Sequence, residues 1–379
     1  MTALVGFDAR EAFRENPRGI GLYCRHLLRE YGRITHDFHL LAYHERPTPP
    51  DLPPLPPCVT PKLTTMRGGR FYFWERLRMP LQMRRDRLDL YHGSYNTLPP
   101  RMTRWRAVPM VVTLHDVIVT TSEEDLEDPY VKYCRAATGR IVREAAMVLT
   151  VSQWSKERIC ERYGVPHEKI EIFRNGIHSD FFREWPAQAG EAARQRYAAG
   201  RSYLYTIGSP QRRKNMHGLF QALGILARTK RLDHALVVSG VWGEARELLA
   251  GLAAREGLEG RVFLHGYVSR EELIGLYRGA SLTVYPSHAE GFGIPIVESL
   301  ALGTPVATSR TSAMPEAGGD FADYFDPASP ANMAEVIAAS IENAPSFAAR
   351  RDAARARARS FTWQAAAEKT LEVYRRVLA

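Results

Sequence analysis

The sequence predicts an α/β protein of two domains, each a parallel sheet with helices on both faces. Apolar, β-prone segments alternate with helical patterns along both halves of the chain, the order typical of parallel sheets. A length of 379 residues suits about two domains. Glycine-rich turns stand at several predicted strand-to-helix junctions, the edge of such sheets where ligands bind.

The composition indicates a cytoplasmic protein with anionic partners. The hydrophobic share is 45%, no apolar run is long enough to span a membrane, and the chain starts in a strand pattern rather than a signal peptide. The formal net charge of +9 suits nucleotide phosphates, lipid headgroups or nucleic acid. The cysteines are scattered without a C-x-x-C pair, which argues against zinc and disulfides: Cys24, Cys58, Cys134 and Cys160.

In the first half, strands are predicted at residues 3–9, 38–43, 88–92, 108–114, 147–151 and 169–173. Gly19 and Gly21 occupy the loop after the first strand, as either a ligand-approaching loop or a plain tight turn. His115 and Asp116 follow the strand at 108–114, at the edge where open α/β sheets bind ligands. Ser152 is predicted to cap a helix.

Two segments of the first half stand out by composition. Residues 47–57 hold seven prolines and predict a stiff loop. From Arg67 to Arg87, seven arginines interleave with aromatic and aliphatic residues at helical spacing. This pattern suits an amphipathic helix whose aromatic face is core, a helix on an anionic membrane surface, or a nucleic-acid contact.

Residues 178–200 lose the strand rhythm and are predicted to link the two domains. A second strand series then follows at 202–207, 235–239, 261–265, 281–285 and 305–308. Ser269 and Glu272 form a capping-box pattern. The final segment places Trp363, Leu371 and Tyr374 on one face of an amphipathic helix.

Two loops of the second half carry the candidate chemistry. In G-S-P-Q-R-R-K-N, which begins at Gly208, a turn delivers Arg213 and Lys214 to a helix start, where cations stabilise a diphosphate. In S-H-A-E-G-F-G-I-P-I-V-E-S, Glu290 and Glu298 bracket a glycine turn. The helix start after this turn favours a phosphate, and Pro295 suits its first turn.

Together with N-G-I at residues 175–177 and G-T-P-V at 303–306, these motifs resemble the retaining nucleotide-sugar glycosyltransferases of glycosyltransferase family 4. R-G-I-G-L-Y, N-T-L-P-P and V-T-L-H-D in the first half resemble its bacterial mannosyltransferase branch. The resemblance implies the GT-B fold, with two Rossmann-like domains facing across a cleft. The implied ranges are an acceptor domain at 1–183, a donor domain at 200–360 and a helix at 361–379 that returns to the first domain.

The resemblance also implies residue roles. Arg213 and Lys214 would contact the donor diphosphate, Glu298 the ribose, and Glu290 the hydroxyls of the transferred sugar. His115, beside Asp116, would face that sugar from the first domain. The remaining donor-binding positions are backbone or loop residues: Gly19, Gly21, Ser209, Gly291, Phe292, Gly293 and Ile294. Some members carry an arginine where this chain has Ser209. If Arg213 or Arg212 does not compensate, diphosphate binding would depend more heavily on Lys214.

The implied reaction transfers a hexose, with mannose from GDP-mannose as the first expectation, to a saccharide or lipid-linked acceptor of surface polysaccharide synthesis. No aspartate-rich metal motif is visible, so neither metal nor cofactor is expected if the cations neutralise the leaving diphosphate. Alternatives are a UDP- or dTDP-sugar transferase, a nucleotide-sugar epimerase or phosphorylase of the same fold, and a basic protein that binds nucleic acid or sugar nucleotides. No nucleic acid partner is expected from the glycine and glutamate motifs.

Overall fold

The computed structural model describes residues 2–17, 19–65, 73–101, 108–118 and 129–379. The chain forms two compact units. The first unit contains residues 1–176 and 362–379, and the second contains residues 177–361. Each unit is built on one parallel sheet, so the predicted α/β class is confirmed.

Seven described strands form the sheet of the first unit, in the order β3-β2-β1-β4-β5-β6-β7. The interior strands are apolar along their whole length because helices cover both faces, and every residue of Met110–Leu114 is buried. The bounds are β1 Ala3–Asp8, β2 Phe38–His44, β3 Val59–Leu63, β4 Leu90–Gly93, β5 Met110–Leu114, β6 Met147–Thr150 and β7 Ile170–Ile172.

Strand β3 is missing from the sequence prediction. It contains Pro61, has three exposed residues, and pairs only with β2 among the described strands. Proline lacks the N–H needed for pairing on both sides, so it is tolerated at a sheet edge and obscures the strand pattern there.

The helices of the first unit lie at the expected junctions, and Ser152 caps its helix by accepting a hydrogen bond from the Ser155 N–H (3.0 Å). Residues 67–72 of the basic aromatic segment lie outside the described residues, and the rest is helical. The bounds are α1 Ile20–Tyr31, a π-helical turn Trp74–Arg78, α2 Met79–Arg85, α3 Pro129–Glu144, α4 Gln153–Tyr163 and α13 Trp363–Leu378.

Helix α13 belongs to the first unit although the whole second unit precedes it in sequence. Thr362 caps it, and Trp363, Leu371 and Tyr374 are buried as the sequence predicts. Trp363 stacks on His26 of α1 with ring centroids 4.8 Å apart. The apolar face of this helix therefore completes the core of the first unit.

Six described strands form the sheet of the second unit, in the order β10-β9-β8-β11-β12-β13. Their bounds are β8 Tyr203–Ile207, β9 Ala235–Ser239, β10 Val262–Leu264, β11 Leu282–Tyr285, β12 Val306–Ser309 and β13 Ala322–Phe325. The helices are α5 Gln188–Ala198, α6 Met216–Arg228, α7 Gly243–Arg255, α8 Arg270–Gly279, α9 Ile294–Ala301, α10 Met314–Gly318, α11 Pro330–Glu342 and α12 Ala344–Ala358. The capping box of Ser269 and Glu272 starts α8.

Residues 178–200, expected to form a linker, include a 3-10 turn at Ser179–Phe182 and helix α5 within the second unit. Helix α5 packs so closely on α8 that a Cβ built on Gly279 would lie 2.5 Å from the Gly190 carbonyl oxygen. A helix that needs small residues for close approach has a weak apolar pattern, which explains its absence from the sequence prediction.

Candidate functional site

The basic loop joins β8 to α6 at the carboxyl edge of the second sheet. It begins at Gly208, where a Cβ would lie 2.3 Å from Val238 Cγ1, so only glycine fits. The Ser209 hydroxyl accepts a hydrogen bond from the Gln211 N–H (3.3 Å), which closes the turn. Arg212–Lys214 form a 3-10 turn that presents two cations toward the neighbouring loop.

Asn215 ends the basic loop in a left-handed conformation, with φ 52°. Its side-chain amide donates to the carbonyl oxygens of Pro286 (3.1 Å) and Pro327 (2.8 Å). The His288 N–H donates to the Arg213 carbonyl oxygen at 2.7 Å. Hydrogen bonds therefore fix the basic loop against the loops that follow β11 and β13.

Glu290 lies between the two cations. Its Oε1 is 2.7 Å from Lys214 Nζ, and its Oε2 is 3.0 Å from Arg213 Nη1. Lys214 Nζ also donates to the Tyr285 hydroxyl at 3.0 Å. Glu290 is 12% exposed and Arg213 is 30% exposed, so the carboxylate is enclosed while the guanidinium reaches solvent. We call Arg213, Lys214, Tyr285 and Glu290 the clamp.

The charged groups of the clamp stabilise each other's ionised forms. Burial opposes ionisation of Glu290, but Lys214 and Arg213 outweigh it and lower the pKa of that carboxyl. Burial also works against the Lys214 ammonium, yet Tyr285 and Glu290 raise its pKa. Burial raises the pKa of Tyr285 to about 12, so its hydroxyl stays protonated. Glu290 is thus a carboxylate rather than a proton donor at neutral pH.

The glycine turn after Glu290 places a helix start beside the clamp. Gly293 has φ 112°, a conformation that favours glycine, and Ile294 begins helix α9 with Pro295 in its first turn. Gly291 and Phe292 are buried, and the Phe292 ring contacts Phe361 with centroids 5.5 Å apart. The partial positive charge of a helix start at this position favours an anion.

Glu298 lies about one turn into α9 and has a different environment. Its Oε2 accepts a hydrogen bond from the Tyr277 hydroxyl at 2.9 Å. Burial raises the pKa of this carboxyl to about 7, although Tyr277 and Arg270 oppose the shift. The two glutamates that bracket the turn therefore differ: Glu290 is ionised by its neighbours, and Glu298 is close to half protonated near neutral pH.

The remaining predicted residues lie in the first unit. The backbone N–H of His115 donates a hydrogen bond to Asn96 Oδ1 (2.9 Å). The ring nitrogen Nε2 of His115 lies 3.2 Å from the Ser94 carbonyl oxygen. A carbonyl oxygen only accepts, so Nε2 carries the proton and Nδ1 is left as an acceptor. Burial lowers the pKa of His115 to about 4, and the ring meets Tyr23 edge-on. His115 is therefore a neutral hydrogen-bonding group.

The other three predicted residues of the first unit determine the local backbone conformation or packing: Asp116, Gly19 and Gly21. Asp116 Oδ1 accepts from the Ile118 N–H at 2.9 Å and so closes a turn. Gly19 has φ 46° and precedes helix α1, with nothing within 4 Å of a Cβ built on it. A Cβ on Gly21 would lie 2.7 Å from the Glu11 carbonyl oxygen, so this glycine serves close packing.

Sequence reasoning missed the tyrosines and amides that support the site. Tyr285 and Tyr277 bind the charged groups, Asn215 fixes the basic loop, and the Ser312 hydroxyl accepts the Glu290 N–H at 3.0 Å. Of these residues, only Tyr285 could have been identified as a site residue from the sequence, because it ends the strand that leads into the glycine turn. The others depend on contacts between segments distant in sequence.

Two further observations bear on the chemistry. In the part of the chain that the structure describes, no group of three His, Cys, Asp or Glu side chains is arranged to hold a metal ion. None of the described helices combines the length and the apolar character needed to cross a bilayer.

Two Rossmann-like parallel-sheet units, one with a cationic loop and a glycine-turn helix start at its carboxyl edge, define an α/β protein of the GT-B fold class. Residues 17–181 match the family described as Glycosyltransferase Family 4, and residues 191–360 match Glycosyl transferases group 1. O-antigen chain mannosyltransferase B of Escherichia coli is 32% identical over 296 residues, covering 77% of this chain and 75% of that protein. The chain belongs to glycosyltransferase family 4.

Solved structures agree on the fold. Sucrose-phosphate synthase from Thermosynechococcus elongatus matches with a TM-score of 0.76 and 18% identity, covering 99% of this chain and 98% of that one. Anabaena HepE in complex with UDP and glucose matches with a TM-score of 0.73 and 18% identity, covering 99% of each chain. At these identities the similarity shows the fold, and the predicted GT-B architecture is confirmed.

Proposed function

We propose that this glycosyltransferase moves mannose from GDP-mannose to a saccharide or lipid-linked saccharide acceptor of surface polysaccharide synthesis, with retention and without a metal ion. The clamp is the observation that carries the proposal. Two cations meet one carboxylate beside a helix start, at the sheet edge where nucleotides bind. The mannosyl assignment is supported by the similarity to an O-antigen chain mannosyltransferase.

The reaction breaks the bond between sugar C1 and a diphosphate oxygen, and forms a bond between C1 and an acceptor oxygen. The electron pair of the broken bond leaves with the diphosphate, where Arg213, Lys214 and the start of α9 stabilise the added charge. The acceptor proton passes to the departing phosphate, and attack on the same face retains the configuration. This route needs neither a metal ion nor a cofactor.

Glu290 binds hydroxyls of the sugar in this mechanism. A carboxylate held by two cations is a weak nucleophile, because its charge is already neutralised. Diphosphate entering the clamp competes for Arg213 and Lys214, and so releases carboxylate oxygens to accept hydroxyl hydrogen bonds. Glu298, enclosed beside Tyr277, binds the ribose hydroxyls one turn further along α9.

An aromatic surface supports binding of the nucleobase at the same sheet edge. Trp242 and Tyr267 are 52% and 74% exposed. They follow β9 and β10, whose extensions are joined by hydrogen bonds from the Gly240 N–H to the Gly266 oxygen (2.9 Å) and from Val241 to His265. Flat side chains on adjacent loops suit stacking of a base.

Thermal-shift screening tests the donor. GDP should raise the melting temperature more than UDP, dTDP or ADP at equal concentration, because a ligand bound only by the native state stabilises it. A larger shift with UDP or dTDP would reassign the donor to the alternative sugar nucleotides. No shift with any nucleotide would contradict the clamp as a diphosphate site.

Transfer assays test the reaction. GDP-mannose and a saccharide acceptor should give an α-linked product by NMR, with the same rate in EDTA as with added magnesium. Loss of activity in EDTA that magnesium restores would contradict the metal-free mechanism. Conversion of the donor without an acceptor would favour an epimerase.

A further inference from the structure

An apolar stripe lies on the surface of the basic aromatic segment. Phe73, Leu77 and Leu81 recur at every fourth residue and are 46%, 53% and 53% exposed. They run along the π-helical turn Trp74–Arg78 and helix α2. Three large apolar side chains in one exposed row are unusual for a solvated helix and indicate a partner surface.

The opposite face of this segment is fixed in the core. Trp74 is 1% exposed, and its indole N–H donates to the Thr64 carbonyl oxygen at 2.7 Å. The Arg10 guanidinium lies 4.0 Å from the Trp74 ring, and buried Glu75 accepts the Tyr133 hydroxyl. Turning the apolar stripe inward would break these contacts. The stripe is therefore held outward by the fold.

Positive charge surrounds the apolar stripe. Arg76, Arg84 and Arg85 are exposed, and Glu75, the sole acidic residue from Phe73 to Arg85, is buried. The adjacent Asp86 is already bound by Lys62 at 2.5 Å. The exposed part of this surface thus combines apolar side chains with arginines.

We propose that this surface, from Phe73 to Arg87, docks on an anionic lipid bilayer. The apolar stripe enters the boundary between headgroups and acyl chains, and the arginines bind lipid phosphates. Two of the three exposed apolar side chains are leucines, which offer a nucleic acid base no aromatic ring to stack on. Two copies of the surface would repel each other through their like charges. The chemistry therefore favours lipid over nucleic acid or a second copy of the chain.

Vesicle co-sedimentation of the full chain tests the proposal. We expect binding to vesicles of phosphatidylglycerol and phosphatidylethanolamine, weakened by salt, and little binding to pure phosphatidylcholine. An arginine near an anionic surface contributes about fivefold in affinity, so the double variant Arg84→Gln/Arg85→Gln should bind roughly 25-fold more weakly. The double variant Leu77→Glu/Leu81→Glu should lose at least as much affinity for these vesicles.

Matched variants on the second unit separate this surface from the general positive charge of the chain. Leu248 is 53% exposed and Arg228 has a 61% exposed side chain. Leu248→Glu and Arg228→Gln should leave vesicle binding within about twofold. Unchanged melting temperature in each variant, with an unchanged GDP shift, would show that the fold and the donor site are intact.

The outcomes are distinct. Equal binding to neutral vesicles, or equal binding by the surface variants and the controls, would overturn the proposal. So would oligonucleotide binding that Leu77→Glu/Leu81→Glu abolishes, or a dimer that the same variant dissociates. The proposal concerns the location of the enzyme, so vesicle binding would persist even if the donor screen contradicted the proposed function.

Discussion

Replacing Glu298 with glutamine should stabilise the second unit and weaken nucleotide binding at the same time. Burial of Glu298 raises the pKa of its carboxyl from 4.5 to about 7. One pH unit of displacement corresponds to about 1.4 kcal/mol, so keeping this group ionised costs up to about 3 kcal/mol at pH 8. Partial solvent exposure of the residue makes this value an upper bound.

The pH dependence has a defined sign. The folded carboxyl keeps its proton to a higher pH than the unfolded chain does. The cost to stability is therefore absent below about pH 4.5, grows as the pH rises toward 7, and is constant above that pH. Glu298→Gln removes the ionisation while glutamine still accepts from the Tyr277 hydroxyl. The gain in stability over the wild type should be largest at pH 8 and small at pH 5.

Calorimetry and nucleotide titration measure the two effects. At pH 8 the transition of the second unit should move up by roughly 6–12 °C. If Glu298 binds ribose, loss of a charged acceptor should weaken nucleotide binding about 10- to 100-fold. Glu271→Gln, at an exposed position on α8, should show neither effect. An unchanged melting temperature would refute the burial argument, and an unchanged nucleotide affinity would refute the ribose role.

Three further substitutions test other contacts. Lys214→Ala should lower turnover by about 10²-fold or more, since it removes a cation from the leaving group; wild-type rates in the transfer assay would contradict the clamp. Tyr285→Phe removes a hydrogen bond to Lys214 and should reduce kcat by roughly 3- to 10-fold, with unchanged stability in urea as its control. Tyr374→Phe leaves buried His92 without its 2.6 Å contact and should lower the free energy of unfolding by about 1–3 kcal/mol; urea denaturation equal to wild type would argue against that bond.

The sequence was sufficient for the interior strands because helices cover them on both faces. Met110–Leu114 and Ala235–Ser239 are buried throughout and read as continuous apolar runs. Edge strands lack this signal: Val59–Leu63 is half exposed and carries a proline, and Ala322–Phe325 includes a charged residue. The linker expectation at 178–200 reflects the weak apolar pattern of helix α5, whose packing depends on glycine contacts.

The candidate site was predictable where the positions of its residues follow from the order of strands and loops in the sequence. Arg213, Lys214 and Glu290 stand at strand ends that parallel pairing brings to one edge, and the structure places them in contact. The difference between Glu290 and Glu298 was not predictable. It arises because two cations lower the pKa of one carboxyl, whereas burial raises the pKa of the other.

The position of helix α13 has a consequence for synthesis of the protein on the ribosome. Domains commonly fold in the order of their translation, the first one early. Here the first unit lacks Trp363, Leu371 and Tyr374 until the last residues emerge, although these side chains are buried in its core. The second unit is continuous in sequence and can finish folding sooner. The half of the chain that is made first should therefore be completed last, and a chain halted before residue 362 should hold one finished unit and one with an uncovered apolar face.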